Sequence, residues 1–302
     1  MTQPELEKRL NMKILVTGAT GYIGGAVVDA LKKAGHQVLG LARSEDARNK
    51  LTGRGVQAVA GDLADAAGLA SLVKDLDAVV WTATTNSEAV DAPAVAAVLD
   101  ALKGTNKTFV YTSGVWVHGD TRGNIVNEDT PLSAAALVAW RPAVEQRALG
   151  TPGVRGIVIR PGIVYGRGAG IPSMLTSSVK DAGAARFMGT GENHWPVVFL
   201  EDLADLYVRA VEQAPAGTVL VAVQGPPLKV KDIAAAASEG AGAGGKTVAW
   251  PLEEARKQFG AFADALALDQ KFSAQRAQTL LGWAPKGPGI IDELRTGSYA
   301  RR

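Results

Sequence analysis

The chain has 302 residues, 47% of them apolar and 21% charged, enough to bury a sizeable core and unlike a disordered or fibrous sequence. A formal net charge of +2, with Lys and Arg scattered along the chain, gives no field suited to nucleic acid. The absence of cysteine excludes disulfides, thiolate metal sites and a cysteine nucleophile. Met1 to Asn11 are polar and charged, without the apolar core of a signal peptide. No later stretch approaches the ~20 apolar residues of a membrane span, so a cytoplasmic protein without a membrane partner is expected. Residues 1–11 read as an extension, which a short helix or an upstream alternative start would explain equally well.

Lys13 to Thr17 is a short β-branched run followed at once by a glycine-rich turn. Ile23, Val27, Val28 and Leu31 then fall at helical spacing over Tyr22 to Ala34, and Gly35 closes that helix. Gln37 to Ala42 reads as a strand buried on both faces. The alternation continues through strands at Val56 to Ala60, Ala78 to Thr82 and Thr108 to Thr112, with helices over Ala66 to Lys74 and Ala92 to Leu102. A helix over about Ala134 to Leu149 and a strand at Gly156 to Ile159 extend it. The fold class is therefore α/β, a doubly wound parallel Rossmann sheet with a smaller, mainly helical C-terminal substrate region. The Rossmann region is placed at 12–165 and the substrate region at 166–302, with 199–224 returning to the sheet. Gly162 to Gly191 is glycine-rich and irregular, as substrate loops commonly are. A helix follows from Leu200 to Glu212, and Glu239 to Lys246 reads as a helix end plus loop or a flexible linker. Trp250 to Ser298 is mainly helical, broken at Pro285 and Pro288.

The strongest motif is Gly18-Ala19-Thr20-Gly21-Tyr22-Ile23-Gly24, lying between strand and helix. Gly18 permits the sharp turn, Gly21 lets a pyrophosphate approach the backbone, and Gly24 brings the helix close to the sheet. The helix N-terminus attracts the phosphates. The end of the second strand reads Gly40-Leu41-Ala42-Arg43-Ser44, with no carboxylate to hold the ribose hydroxyls of NAD. Arg43, aided by the Ser44 hydroxyl, suits a 2′-phosphate instead, so NADP(H) is favoured over NAD(H). A solvated arginine would occupy the same place without that role.

The motifs TGATGYIGG (17–25), GDLAD (61–65), YTSG (111–114), RPGIVYG (160–166), FLEDLAD (199–205) and LGWAP (281–285) resemble the extended and atypical short-chain dehydrogenase/reductases, especially their NAD-dependent epimerase/dehydratase-like branches. The resemblance covers most of the chain. It implies that Asp62 and Leu63 flank the adenine and that Thr82, Ala83 and Thr84 lie beside the cofactor. It also implies that Pro161, Gly162, Ile163 and Val164 lie against the nicotinamide. Asp62 as a helix cap, Ser113 in a turn and Pro161 as a strand break are the simpler roles. The family's Tyr-x-x-x-Lys is altered: aligned on Glu145, the lysine position holds Arg141 and the tyrosine position Leu137. Arg141 is expected to hold the nicotinamide ribose or a phosphate.

Leucine cannot move a proton, but hydride transfer belongs to the cofactor, so reduction survives the loss where another group or water supplies the proton. Ser113 ranks first as a donor polarising a carbonyl or imine, ahead of His118, Tyr165 and His194. Trp116, Met174 and Trp195, together with Trp140, Phe187 and Met188, suit an apolar substrate pocket or simple core packing. No spacing supports a catalytic metal. The leading expectation is an NADP(H)-dependent oxidoreductase acting on a C=O or C=N group of a small apolar or aromatic molecule. A noncatalytic NADP(H)-sensing protein is second, and a sugar-nucleotide epimerase or dehydratase, which leans more on the missing tyrosine, is third. The small-molecule substrate is the expected partner, and the resemblance leaves a homodimer open.

Overall fold

The computed structural model describes residues 11–301, so ten of the residues read as an N-terminal extension, 1–10, lie outside the described residues. The chain forms two compact units. The first holds the described residues up to Ser113 with Trp140–Ile159 and Ala204–Leu220, and the second holds Gly114–Ala139, Arg160–Leu203 and the residues from Val221 onward.

The alternation of short β-branched runs and helical segments builds β1 (Lys13–Thr17), α1 (Tyr22–Lys33), β2 (Gln37–Ala42), α2 (Glu45–Thr52), β3 (Gln57–Ala60), α3 (Ala66–Leu72), β4 (Ala78–Trp81), α4 (Glu88–Leu102) and β5 (Thr108–Thr112). After β6 (Ile125–Val126) come α5 (Arg141–Gly150), β7 (Arg155–Pro161), β8 (Ile163–Tyr165), α6 (Ser173–Ala182), β9 (Ala185–Met188), β10 (His194–Phe199), α7 (Leu200–Gln213) and β11 (Thr218–Ala222). These give a central seven-stranded Rossmann sheet of order β11-β7-β5-β4-β1-β2-β3, and the ladders from β3 through β7 are all parallel. Reversal of strand order between β1 and β4 creates the crevice where doubly wound sheets bind ligands. Leu15, Val79, Trp81, Phe109 and Tyr111 pack on one face of the sheet with Leu69, Val95, Leu99 and Val144 from α3, α4 and α5.

The helix expected over 134–149 begins only at Arg141. Pro142 occupies its first turn, where no intrahelical N–H bond is needed, and Leu137 lies in a separate 3-10 turn, Ala136–Val138. Helix α4 instead starts earlier than expected, with Glu88 and Asp91 in the first turn suiting its positive end.

The second unit is built around a three-stranded sheet, β12-β10-β8, where β12 is Gln224–Lys229. Helix α8 (Val230–Gly240) ends at the alanine- and glycine-rich segment, which turns back into β13 (Thr247–Trp250). Then follow α9 (Leu252–Phe259), α10 (Ala261–Ala267), β14 (Lys271–Phe272), α11 (Gln275–Leu281) and α12 (Ile290–Thr296). Ile163, Tyr165, Phe187, Trp195, Ile233 and Leu294 form its core. Among the described residues no helix is long and apolar enough to cross a membrane.

Two of the recurring motifs meet through Asp202. Its carboxylate accepts from the Lys286 and Gly287 N–H groups at 2.9 and 2.8 Å, and its carbonyl accepts from the buried Trp283 indole at 2.9 Å. Asp202→Ala leaves two backbone donors without their acceptor. We expect it to lower unfolding free energy by about 2–4 kcal/mol, measured by urea denaturation.

Candidate active site

The loop after β1 is shaped by two crowded glycines. Gly18 sits at φ +68°, a backbone conformation that L side chains rarely adopt. A Cβ on Gly24 would stand 2.2 Å from the Gly18 carbonyl and 2.5 Å from Thr82 Oγ1, so only glycine lets α1 approach β1 and β4 this closely. Thr82 Oγ1 donates to the Thr17 carbonyl at 2.6 Å, and the Ala83 N–H donates to Thr17 Oγ1 at 3.3 Å, joining the loops after β1 and β4. Gly21 differs: it has ordinary backbone angles, and a Cβ there would meet only the Gly18 carbonyl, at 3.1 Å. The first turn of α1 carries no acidic residue, leaving its positive end open to an anion.

These elements surround a cavity of about 510 Å³ at the C-terminal edge of the sheet. Gly18, Thr20, Gly21, Tyr22, Ile23 and Gly24 line it, with Arg43, Asp62, Leu63, Thr82, Ala83 and Thr84. Ser44 uses its hydroxyl oxygen to accept from the Ala47 N–H at 3.2 Å and so caps α2. Asp65, not Asp62, caps α3; Asp62 Oδ1 accepts from the Ala64 N–H at 2.9 Å. The sequence reading passed over Asp91. Buried in the first turn of α4, its carboxylate takes hydrogen bonds from Thr84 Oγ1, Thr85 Oγ1 and the Thr85 N–H at 2.6–3.0 Å, fixing the loop beside the cavity. A second acidic residue, three after Glu88 and just ahead of the apolar turns of the helix, was the available signal.

Ser113 follows β5 at the same edge of the sheet. Arg141 Nη1 donates to its carbonyl at 3.0 Å, and the Arg141 guanidinium lies 5.5 Å from the Trp140 ring centroid. Ser113 Oγ and Arg141 Nε are both buried without a hydrogen-bond partner. A buried polar group left unpaired costs about 1–3 kcal/mol, so each needs an explanation. Nearby, Tyr111 has its pKa raised by burial, with Glu145 and Asp91 adding to the rise and Arg141 opposing it, so it stays protonated.

The other candidates belong to the second unit. His118 is buried, and burial together with Arg160 lowers its pKa to about 4. Arg160 Nη1 lies 3.0 Å from His118 Nε2; a guanidinium only donates, so Nε2 accepts and the proton sits on Nδ1, which is buried without a partner. His194 Nδ1 lies 2.7 Å from Asp269 Oδ1. Burial alone would raise the Asp269 pKa, but hydrogen bonds from His194 outweigh it and hold the carboxyl below its ordinary value. Tyr165 is fully buried and donates to the Pro288 carbonyl at 2.7 Å. It lines a separate cavity of about 640 Å³ with Gln224, Pro226 and Gln278. Pro161 ends β7; Ile163 and Val164 pair with Val197 and Val198, and Gly162 packs where a Cβ would meet the Pro196 carbonyl at 2.4 Å. Trp195 is a core residue whose indole donates to the Leu266 carbonyl at 2.9 Å. Trp116 is half-buried, edge-on to Phe262, and Met174 packs partly buried on the same core.

The model of the NAD dependent epimerase/dehydratase family matches residues 14–222. The uncharacterized protein C2A9.02 of Schizosaccharomyces pombe is 32% identical over 95% of this chain and 100% of its own length. The 2-alkyl-3-oxoalkanoate reductase of Stenotrophomonas maltophilia is 27% identical over 74% of this chain and 73% of that protein. Among solved structures, DesIV, a dTDP-glucose 4,6-dehydratase from Streptomyces venezuelae with NAD and TYD bound, superposes with a TM-score of 0.79 at 20% identity. The match covers 95% of this chain and 96% of that one, a likeness of fold.

The two glycines separate folding from ligand contact. Gly24→Ala is expected to destabilise the chain by about 2 kcal/mol or more through overpacking. Gly21→Ala is expected to keep the fold and weaken dinucleotide binding about tenfold; thermal unfolding and fluorescence titration measure the two effects. His118 gives a pH test. Its folded pKa of about 4 lies below the free value of about 6.5, so the unfolded chain takes up the proton first. That contribution to stability is complete above pH 6.5 and disappears as the pH falls towards 4, by about 3 kcal/mol at most. His118→Gln, which keeps an acceptor for Arg160 but does not titrate, should flatten that part of the denaturation profile.

Proposed function

The chain belongs to the NAD dependent epimerase/dehydratase family, and we propose that it is an NADP(H)-dependent oxidoreductase that reduces a C=O or C=N group of a small apolar or aromatic molecule. The observation that carries this reading is the cavity bounded by the glycine loop, Arg43, Asp62, Leu63 and the Thr82 to Thr85 loop. Its parts fit a dinucleotide. The α1 N-terminus and the open side of Gly21 suit the pyrophosphate, Asp62 and Leu63 the adenosine side, and Thr82 to Thr84 the neighbouring ribose. Bound there, the cofactor supplies the hydride.

Arg43 lines the cavity where an NAD site would place a carboxylate, which supports NADP(H). Ser113 provides a neutral hydroxyl that stabilises developing charge, and Arg141 provides a guanidinium beside it. The reductase relative from Stenotrophomonas maltophilia supports a ketone-type substrate. A noncatalytic NADP(H) sensor is the second reading. It is favoured by Leu137, which lies in a 3-10 turn outside α5, so the helix that would carry the family's Tyr-x-x-x-Lys pair is not formed there.

NADPH oxidation followed by absorbance, against ketones, aldehydes and cyclic imines, tests the proposal. Turnover that falls about a hundredfold in Ser113→Ala with NADPH affinity unchanged supports it. NADPH binding without turnover across the panel shifts the reading to the sensor. Arg43→Glu is expected to weaken NADPH about tenfold or more relative to NADH; equal weakening of both would remove the argument for NADP(H).

A further inference from the structure

We propose that the cavity of about 640 Å³ in the second unit is a ligand site of its own, which takes an uncharged small molecule with an apolar body and a hydrogen-bonding end. It is independent of the oxidoreductase reading. Every residue lining it belongs to the second unit, whereas those lining the cavity beside the glycine loop belong to the first.

The walls are held by hydrogen bonds that do not depend on a ligand. Gln224 Oε1 accepts from the Phe199 N–H at 2.7 Å, the Tyr165 hydroxyl is given to the Pro288 carbonyl, and Asp202 holds the N–H groups of Lys286 and Gly287. Val197 of β10, Leu228 of β12, Phe272 of β14 and Ile290 of α12 add apolar surface. The space is therefore preformed, and its volume is in the range usual for small-molecule sites.

The lining decides what fits. No Asp, Glu, Lys, Arg or His lines the cavity, and both carboxylate oxygens of nearby Asp202 are already taken by backbone donors. A charged ligand would lose its hydration and find no counter-ion. A peptide strand is excluded for a different reason. β12 is the edge of its sheet, and Pro226 and Pro227 within it have no N–H with which to extend a ladder. Ile125 lines the cavity yet is 66% exposed, the most exposed large apolar side chain among the described residues, so an apolar body laid against it removes that surface from water. The polar end has its own partners. Ser273 Oγ accepts from the Gln275 N–H at 3.2 Å and keeps its proton to donate, and the exposed Gln278 amide both donates and accepts.

The test uses two fluorescent probes of one skeleton, neutral N-phenyl-1-naphthylamine and its sulfonated counterpart 8-anilino-1-naphthalenesulfonate, titrated into the full chain with and without saturating NADP⁺. Two variants locate the binding. Gly289 lines the cavity at φ −62°, and a Cβ there meets no atom within 4 Å, so Gly289→Phe fills the space without backbone strain. Ile125→Asp places a charge on an exposed rim position. Circular dichroism checks the fold of both, and if Gly289→Phe unfolds, Ile125→Asp decides alone. The expected result is saturable binding of the neutral probe, unchanged by NADP⁺ and about tenfold weaker in each folded variant, with the sulfonated probe about tenfold weaker on the parent chain. Absence of saturable binding, equal binding of both probes, displacement by NADP⁺, or unchanged affinity in the folded variants overturns the proposal. So does a parent chain that light scattering shows to be a dimer while Ile125→Asp is a monomer, because the face would then belong to a second copy.

Discussion

The close approach of α1 to the sheet is the constraint on which the cavity at the C-terminal edge of the sheet depends. At Gly24 the helix backbone lies against the Gly18 carbonyl and Thr82 Oγ1 with no space for a single added carbon. That contact fixes where the helix begins, and therefore where the N–H groups of its first turn point. Thr82 reinforces it by donating to the Thr17 carbonyl, so the loops after β1 and β4 are held as one structure at the reversal of strand order. Asp91 extends the same bracing to Thr84 and Thr85. A buried carboxylate is costly unless its lone pairs are filled, and here three separate donors fill them.

The second unit solves a different problem. Its segments are short, and Asp202 substitutes for regular structure by tying the start of α7 to the turn that follows Trp283. The motifs at 199–205 and 281–285, far apart in the chain, are thus two ends of one set of hydrogen bonds. Tyr165 has a similar structural place, with its hydroxyl given to the Pro288 carbonyl. His194, held by Asp269, is fixed in orientation by a carboxylate, whereas His118 is kept neutral by burial and by the neighbouring Arg160.

On the proposed reading, Leu137 in place of the family's tyrosine removes an acid and leaves electrostatics. Around Ser113 the surviving groups are a hydroxyl and a guanidinium, and neither is poised to transfer a proton at neutral pH. Such a site is suited to holding charge as it develops. Tyr111 does not take over the missing function: burial raises its pKa, and it packs within the first unit's core.

The order of strands and helices was legible because most of the strand runs are short, buried and bounded by turn residues, so the period along the chain identifies them. The glycine loop was legible for the same reason: Gly18 and Gly24 are required by backbone geometry and close packing that the local spacing expresses directly. The start of α5 was not. Periodicity continues smoothly through Ala134 to Leu149, and only the packing of the chain decides that Leu137 turns separately while Pro142 opens the helix. Asp91, Asp202 and the Arg141 anchor were equally hidden, since their partners lie 6 to 85 residues away and a side chain's partner is set by the fold that surrounds it. The sequence by itself determined the glycine loop and the alternation of strands and helices; the tertiary structure decided which donors and acceptors are satisfied, because hydrogen-bond satisfaction depends on three-dimensional neighbours and not on spacing.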